Sequence, residues 1–487
     1  MRITLRSVFF AVCGLLGSLY LLTLLGVIDT AGTPHEQLQH KWQQQRRQLA
    51  VRSAMKHAWD GYRSHAFGKD ELQPLTQTGN TRWGGWAITL LDSLDTLYLM
   101  GLRDEYNEAK DHVRGIDFTK SPRGFQIQVF EMVIRALGGL LGAYELDHDP
   151  VLLHKAAEVA QTLARAFETP TGLPHGILDL NDPARPASPT VSLAEAGTMQ
   201  LEFKALSRAT GERRYWEMAE RVSDALDAGN RTRGALFPMY VHVESGRYEG
   251  GSDYTVGAHA DSFYEYLLKQ YIMHGEPKYR ERYVASVEAV VESLVGRTQG
   301  GLAFVGRRPG DGGRLVAEME HLACFYPGLL ALGARVLDRP QDLRVAEELA
   351  RTCYAMYQTT PTGLSPEIAY FTPGTPDILP TDPRYILRPE TIESLFILYR
   401  ITGDRKYQDW GWRIFESIER FTRVEHGYAA VVDVMKTNMT GNREDSMESF
   451  FLAETLKYLY LLFSPTNVLS LDEYVLSTEA HPFRIMK

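Results

Sequence analysis

From about residue 87 onward the chain alternates two kinds of helical stretch. One kind is apolar almost all round, as in LFILY (395–399) and FFLAETLKYLYLLF (450–463), which predicts helices buried on every side. The other carries charge on one face, as in GDRKYQDWGWRIFESIER (403–420), which predicts helices covering the first kind from outside. The two kinds recur as a pair: VFEMVIRALGGLLGAYEL with LLHKAAEVAQTLARAF, and HLACFYPGLLALGARVL with RVAEELARTCYAMYQT. Polar residues open the apolar helices at 131, 195, 261, 321, 390 and 448, at intervals of 58 to 69 residues. With an earlier pair around AITLLDSLDTLYLMGL (87–102), about seven pairs can be counted. A helix hairpin cannot bury its apolar face alone and must stack on its neighbours. The pattern therefore predicts an all-α fold of two concentric helical layers. If the ring closes, every inner helix begins at the same end, and the opening residues converge on one cavity.

The stretch LRPETIES (387–394) shows what such an opening looks like. Proline suits the first position of a helix, where its missing N–H has no intrahelical partner. Pro389 thus predicts a helix start, with Glu390 and Glu393 on one face three residues apart. Taken singly, an acid in a first turn only complements the helix dipole. Glu131 and Arg135 have the spacing of an i,i+4 ion pair, and His321 alone reads as structural. The repeat changes this, because it sets Glu131, Glu195, Asp261, Glu390 and Glu448 or Glu454 around one rim. Such crowding is costly unless a cation, a ligand or shared protons offset it. Paired carboxylates at a pocket suit cleavage of a glycosidic bond, one protonating the leaving oxygen while the other activates water or attacks the sugar. No Ser–His–Asp elbow, phosphate-binding loop or H-E-x-x-H motif competes with that chemistry.

Composition narrows the partners. Of 487 residues, 44 % are hydrophobic and 11 % aromatic, enough for a large core and many sugar-stacking faces; a net charge of −9 without a basic stripe argues against nucleic acid. At the N-terminus, Arg2 and Arg6 precede an uncharged segment from Ser7 to Ile28, long enough to span a bilayer and oriented with its start in the cytoplasm. The alternative is a cleaved signal peptide, whose apolar region is ordinarily shorter. The expected organisation is a cytoplasmic tip and transmembrane anchor (1–28), a polar stem (29–50) and a lumenal catalytic domain (51–487). In that oxidising compartment Cys324 and Cys353 can form a disulfide, the alternative being two buried thiols. Asn230 and Asn438 lie in glycosylation sequons.

The blocks DSLDTLYLMGL, LAEAGTMQLEF, DSFYEYLLKQ, HLACFYPG, LRPETIESLFILYR, ESFFLAETLKYLYLLF and STEAHP strongly resemble the class I α-1,2-mannosidases of glycoside hydrolase family 47. The likeness covers nearly all of the lumenal region. It implies an (αα)7 barrel and an inverting hydrolase that trims terminal α-1,2-linked mannose from high-mannose N-glycans with a bound Ca²⁺. By position, Glu131 matches the general acid, acting through a water, and Glu390 the general base; Asp261 is the third catalytic acid, the division of roles being open. Thr478 matches the calcium ligand, through its carbonyl and hydroxyl oxygens, with Glu390, Glu393, Glu454 and Glu479 holding the ion's waters. Arg135, Glu195, His321, Arg388, Phe450 and Glu454 match positions that contact substrate, and Cys324 with Cys353 matches the family's disulfide. One departure stands out: GAHAD replaces the GARGD of endoplasmic-reticulum members, so His259 stands where an arginine contacts the glycan's branches, and branch preference is open. The resemblance implies a monomeric, membrane-anchored type II protein of the endoplasmic reticulum or Golgi. The rival reading is a glycan-binding lectin on the same barrel.

Overall fold

The computed structural model describes residues 33–122, 125–182, 188–229, 234–372 and 377–486. It divides into a small unit, residues 1–47, and a large one, residues 48–487. The expected membrane span and the sequon at Asn230 lie outside the described residues, among which no helix is long and apolar enough to cross a membrane. In the small unit every described residue after Thr33 is helical, belonging to α1 (Pro34–His65), so the described part of the segment read as a stem is helical from Pro34 on.

Among the described residues of the large unit the paired pattern resolves into thirteen further helices of eight residues or more. They are α2 (Ile88–Leu99), α3 (Arg103–Val113), α4 (Gly138–Asp147), α5 (Pro150–Ala164), α6 (Gln200–Thr210), α7 (Arg213–Ala228) and α8 (Asp261–His274). They continue as α9 (Pro277–Ser293), α10 (Tyr326–Leu337), α11 (Pro340–Gln358), α12 (Glu390–Thr402), α13 (Lys406–Phe421) and α14 (Leu456–Phe463). The even-numbered helices form the inner layer. Ile88 to Leu97 of α2 are all buried, including Asp92, Ser93, Asp95 and Thr96. The odd-numbered ones bury a single stripe, in α13 Tyr407, Gly411, Ile414, Phe415, Ile418 and Phe421. This is the burial that the two kinds of stretch demand.

The inner helices contact one another in sequence from α2 to α14, and the π-helical turn Phe451–Thr455 that opens α14 returns to α2, closing the ring. Close approach sets part of its geometry: a Cβ on Gly139 would sit 2.3 Å from the Leu91 carbonyl oxygen, so α4 can lie this near α2 only with glycine there. Inner helices turn into outer ones through two or three residues. Gly211, Gly275 and Gly403 end α6, α8 and α12 in the left-handed region, at φ 78°, 77° and 70°, the usual helix stop. The returns from outer to inner helices are long and all fall at the opposite end. Short antiparallel strands form there, such as Glu318–Glu320, Ile368–Phe371 and Ile378–Asp382 in the three-stranded sheet of the described residues.

The C-terminal hairpin, Tyr474–Leu476 paired with Pro482–Arg484, packs on α4 and α8, and its turn is bonded to Lys457 of α14 and Asp95 of α2. Held by four inner helices, it lies within the ring and brings Thr478 and Glu479 up from below. A disulfide joins Cys324 to Cys353, Cα atoms 5.9 Å apart, pinning the start of α10 to α11.

Candidate active site

At the end where the inner helices begin, a cavity of about 330 Å³ opens. Its wall carries Glu131, Arg135, Glu195, His259, Asp261, Arg388, Glu390, Glu393, Phe450, Glu454, Thr478 and Glu479. Each comes from the opening of a repeat or from the hairpin turn, so the ring brings together residues up to about 350 positions apart in sequence. Of the two alternatives at the last repeat, Glu454 faces the cavity, whereas Glu448 is bonded to Arg82 outside it.

Two guanidinium groups organise the walls. Arg135 donates from Nε to Glu131 at 2.7 Å and from Nη1 to Ser449 at 3.0 Å, and also bonds Glu479. It sits in the π-helical turn Met132–Leu137, a widened stretch of helix of the kind common at functional sites. Arg388 donates from Nε to Glu367 at 2.6 Å and lies 3.6 Å from Glu390. The Phe450 ring lies between the two, 5.7 Å from Arg135 and 5.8 Å from Arg388, giving an apolar face fixed by cations on either side.

His321 stands elsewhere than the resemblance implies for a substrate contact. It is 1 % exposed and does not line the cavity; its Nδ1 is 2.8 Å from Glu390 Oε2, and its Nε2 is 2.9 Å from the Tyr357 hydroxyl. It opens in a 3-10 turn, His321–Phe325, which rotates Leu322 and Phe325 toward the cavity instead. His321 therefore supports Glu390 from behind. Burial pushes the Glu390 carboxyl up, but the His321 hydrogen bond and the Arg388 charge outweigh it and leave the group below its ordinary value.

The other acids go the opposite way. Burial, with Glu320, Glu265 and Glu390 nearby, raises Asp261 to about 7. Glu393, Glu454 and Glu479 are held well above the ordinary range, first by burial and then by one another and neighbouring carboxylates; Lys269 and Arg135 offset only part of it. The remaining sites have local causes. Glu195 completes a capping box, its carboxylate accepting from the Ser192 N–H at 2.9 Å and its own N–H donating to the Ser192 hydroxyl at 3.2 Å. His259 holds a left-handed backbone at φ 71°, with its ring 5.6 Å from that of Tyr240.

Several participants were not singled out from the sequence. Glu265 lines the cavity one turn after Asp261, a spacing that could have flagged it. Asp92, Asp95 and His481 lie within the blocks DSLDTLYL and STEAHP; His481 is 2.9 Å from Asp95 and 3.1 Å from Asp92, with all three fully buried. Nothing in the pattern distinguished them from core positions. A separate group, Glu220, His274 and Glu276, brings possible metal-ligand atoms within 4.8 Å of one another, but Lys204 and Lys278 are bonded to Glu220 there and supply positive charge.

The arrangement gathers Glu390, held low, with Asp261, pushed up, beside the oxygens of Thr478 and the apolar face of Phe450, a set suited to a neutral, hydroxyl-rich ligand. Comparisons with known proteins agree. Residues 54–485 match glycosyl hydrolase family 47. The chain is 44 % identical over 455 residues to mannosyl-oligosaccharide 1,2-alpha-mannosidase MNS1 of Arabidopsis thaliana, covering 91 % of this chain and 79 % of that one. It is 43 % identical to the endoplasmic reticulum mannosyl-oligosaccharide 1,2-alpha-mannosidase of Homo sapiens, covering 90 % of this chain and 64 % of the human protein. Among solved structures, the alpha-1,2-mannosidase from Trichoderma reesei superposes with a TM-score of 0.85 at 31 % identity, over 90 % of this chain and 99 % of that one.

Proposed function

This chain belongs to glycosyl hydrolase family 47, and from that premise we propose that it is an inverting α-1,2-mannosidase trimming terminal mannose from high-mannose N-glycans in the secretory pathway. The observation that carries the reading is the meeting of Glu131, Asp261 and Glu390 with Thr478 in one cavity beside two arginines.

In this reading the terminal mannose enters against Phe450, with Arg135 and Arg388 donating to its oxygens. Glu390, kept ionised by His321 and Arg388, is the base that takes a proton from the attacking water. Glu131, on the facing wall, delivers a proton to the leaving oxygen through a water, and Asp261 helps fix the reacting sugar. The Thr478 carbonyl and hydroxyl, with Glu393, Glu454 and Glu479 around them to hold waters, would supply an all-oxygen set of the kind Ca²⁺ takes. Supporting this reading, burial and mutual repulsion push those three carboxylates toward the protonated state, with too little positive charge facing them to offset it. When bound, the cation supplies that charge and orients sugar hydroxyls. The disulfide, the exposed Asn438 sequon and the apolar Ser7–Ile28 segment support an anchored lumenal protein, a monomer with its own complete cavity.

The test is mannose release from a nine-mannose glycan. Release with calcium, loss on chelation, and a fall in kcat of about 10²–10⁴ in Glu390→Gln with glycan binding retained are the expected results. Binding without release by the unaltered protein would make it a lectin.

A further inference from the structure

The turn that presents Thr478 is tied to the inner helices on both sides. The Ser477 carbonyl accepts from Lys269 of α8 at 3.3 Å, the Ala480 carbonyl accepts from Lys457 of α14 at 2.8 Å, and Glu479 is bonded to Arg135. Between these anchors, no protein group among the described residues bonds the Thr478 carbonyl or hydroxyl, the two oxygens assigned above to calcium. The inner helices hold Thr478 through one atom, its N–H, which donates to the Tyr266 hydroxyl oxygen at 3.4 Å.

Tyr266, in α8, has no accessible surface, and a phenol can either donate or accept. Its proton is already committed, because the hydroxyl donates to Glu202 Oε1 of α6 at 2.6 Å. The oxygen lone pairs are left for the turn, where they take the Thr478 N–H. Glu202 has no other visible task. It is fully buried, Tyr266 is its one side-chain donor among the described residues, and its Oε2 has no partner there. An acid so poorly matched is costly in the core, and leucine would pack in its place. Fixing the direction of the Tyr266 proton gives it a reason. The same helix begins with Asp261, so one element carries that acid and, about one and a half turns later, the acceptor for Thr478.

We propose that Tyr266 is a positioning residue for calcium: with its proton held by Glu202, it accepts from the Thr478 N–H and sets where the Thr478 oxygens stand relative to Asp261. The proposal rests on the calcium-dependent mannosidase reading and adds to it a residue that shapes the ion's site without touching the ion. Partners behind a metal ligand matter by about 10- to 100-fold in metal affinity.

Two variants separate positioning from folding. Tyr266→Phe keeps the ring and removes the hydroxyl, but it strands the Glu202 carboxylate in the core and so also costs stability. Tyr266→Phe/Glu202→Met removes that carboxylate as well, which leaves only the Thr478 N–H without its partner. Each protein, as the whole chain, is stripped of calcium with chelator, dialysed and titrated with calcium chloride by calorimetry, while urea unfolding in chelator reads the fold. The expected result is a calcium Kd raised about 10- to 100-fold in the single variant and still raised in the double, although the double recovers most of the lost stability. The calcium concentration for half-maximal mannose release should rise by the same factor. An unchanged Kd in the single variant, or a Kd that recovers in the double together with stability, overturns the proposal and leaves Tyr266 a structural residue. If the single variant does not fold, the double decides by its Kd alone: raised supports positioning, parental overturns it. Failure of the unaltered protein to bind calcium overturns the calcium reading itself, and the proposal with it.

Discussion

Lys457→Met probes the seam where the ring closes. Lys457, in α14, is 1 % exposed and its Nζ lies 2.8 Å from Asp95 of α2 and donates at 2.8 Å to the Ala480 carbonyl in the hairpin turn. One ammonium group thus ties the last inner helix to the first and steadies the turn that presents Thr478 and Glu479. Asp95 has no accessible surface; burial pushes its carboxyl up, but Lys457 and His481 together keep it below the ordinary value. Removing one partner of a buried pair costs about 3–5 kcal/mol, because the other charge stays buried and unpaired. The lost bond to Ala480 adds about 1 kcal/mol. Most of the cost should disappear in the double variant Lys457→Met/Asp95→Asn, which leaves no unpaired carboxylate yet keeps a partner for His481. The pH dependence supplies a second check. The native Asp95 pKa is depressed, so its contribution is present above the unfolded value of 3.8 and lost as pH falls through the native one. In the single variant burial raises the pKa, so that stability instead falls as pH rises, and the deficit should be larger at pH 7 than at pH 4. Urea unfolding of the parent, both singles and the double measures this, with mannose release as the functional companion. A single-variant cost below about 1 kcal/mol, or strictly additive costs in the double, would refute the reasoning.

His321→Phe removes the hydrogen bond that lowers Glu390, so the acidic limb of the pH–rate profile should move to higher pH; an unmoved limb would detach His321 from Glu390's role. Asp261 is raised to about 7, so its contribution to stability is present below its unfolded value and lost as pH climbs through 7; Asp261→Asn should flatten the stability profile over that range and exceed the parent at pH 8, by thermal melts in chelator. Cys353→Ala opens a link between residues 29 apart, and chemical unfolding should show a loss of about 3–4 kcal/mol.

The framework was legible because it is periodic. Glu131, Asp261 and Glu390 open every second inner helix, at α4, α8 and α12, so spacing alone placed them on one rim before any contact was known. The same rule put His321 there too and missed its direction, because a 3-10 turn carries fewer residues per revolution than an α-helix and swings the side chain behind Glu390. The π-helical turns at Met132–Leu137 and Phe451–Thr455 were equally invisible: a locally widened helix leaves the apolar pattern intact while re-aiming Arg135 and Glu454. Strands of two to five residues carry too short an alternation to read, and they arose in the long returns. The helix that completes the outer layer precedes all the counted pairs. Its buried stripe, Val51, Met55, Ala58, Trp59 and Tyr62, has helical spacing but directly follows a polar segment that reads as stem.

Charge explains why so much of the site could be read before its geometry. An apolar barrel interior penalises every carboxylate placed in it, so each needs a nearby reason to exist. Asp95 has Lys457 and His481; Glu390 has His321 and Arg388; both are driven below their ordinary values. Glu393, Glu454 and Glu479, facing the same cavity as Thr478, have too few such partners and are driven the other way. That division follows the chemistry. The acid with a guanidinium and a hydrogen-bonding histidine beside it stays ionised, whereas those around Thr478 leave a deficit of positive charge that a divalent ion of the hard, oxygen-binding kind can fill. A protein without ligand or catalysis to serve could remove that cost by replacing three glutamates with leucine. Glu393 and Glu454 in otherwise apolar helices, and Glu479 in a buried hairpin turn, are the part of the sequence that periodicity and core packing do not explain.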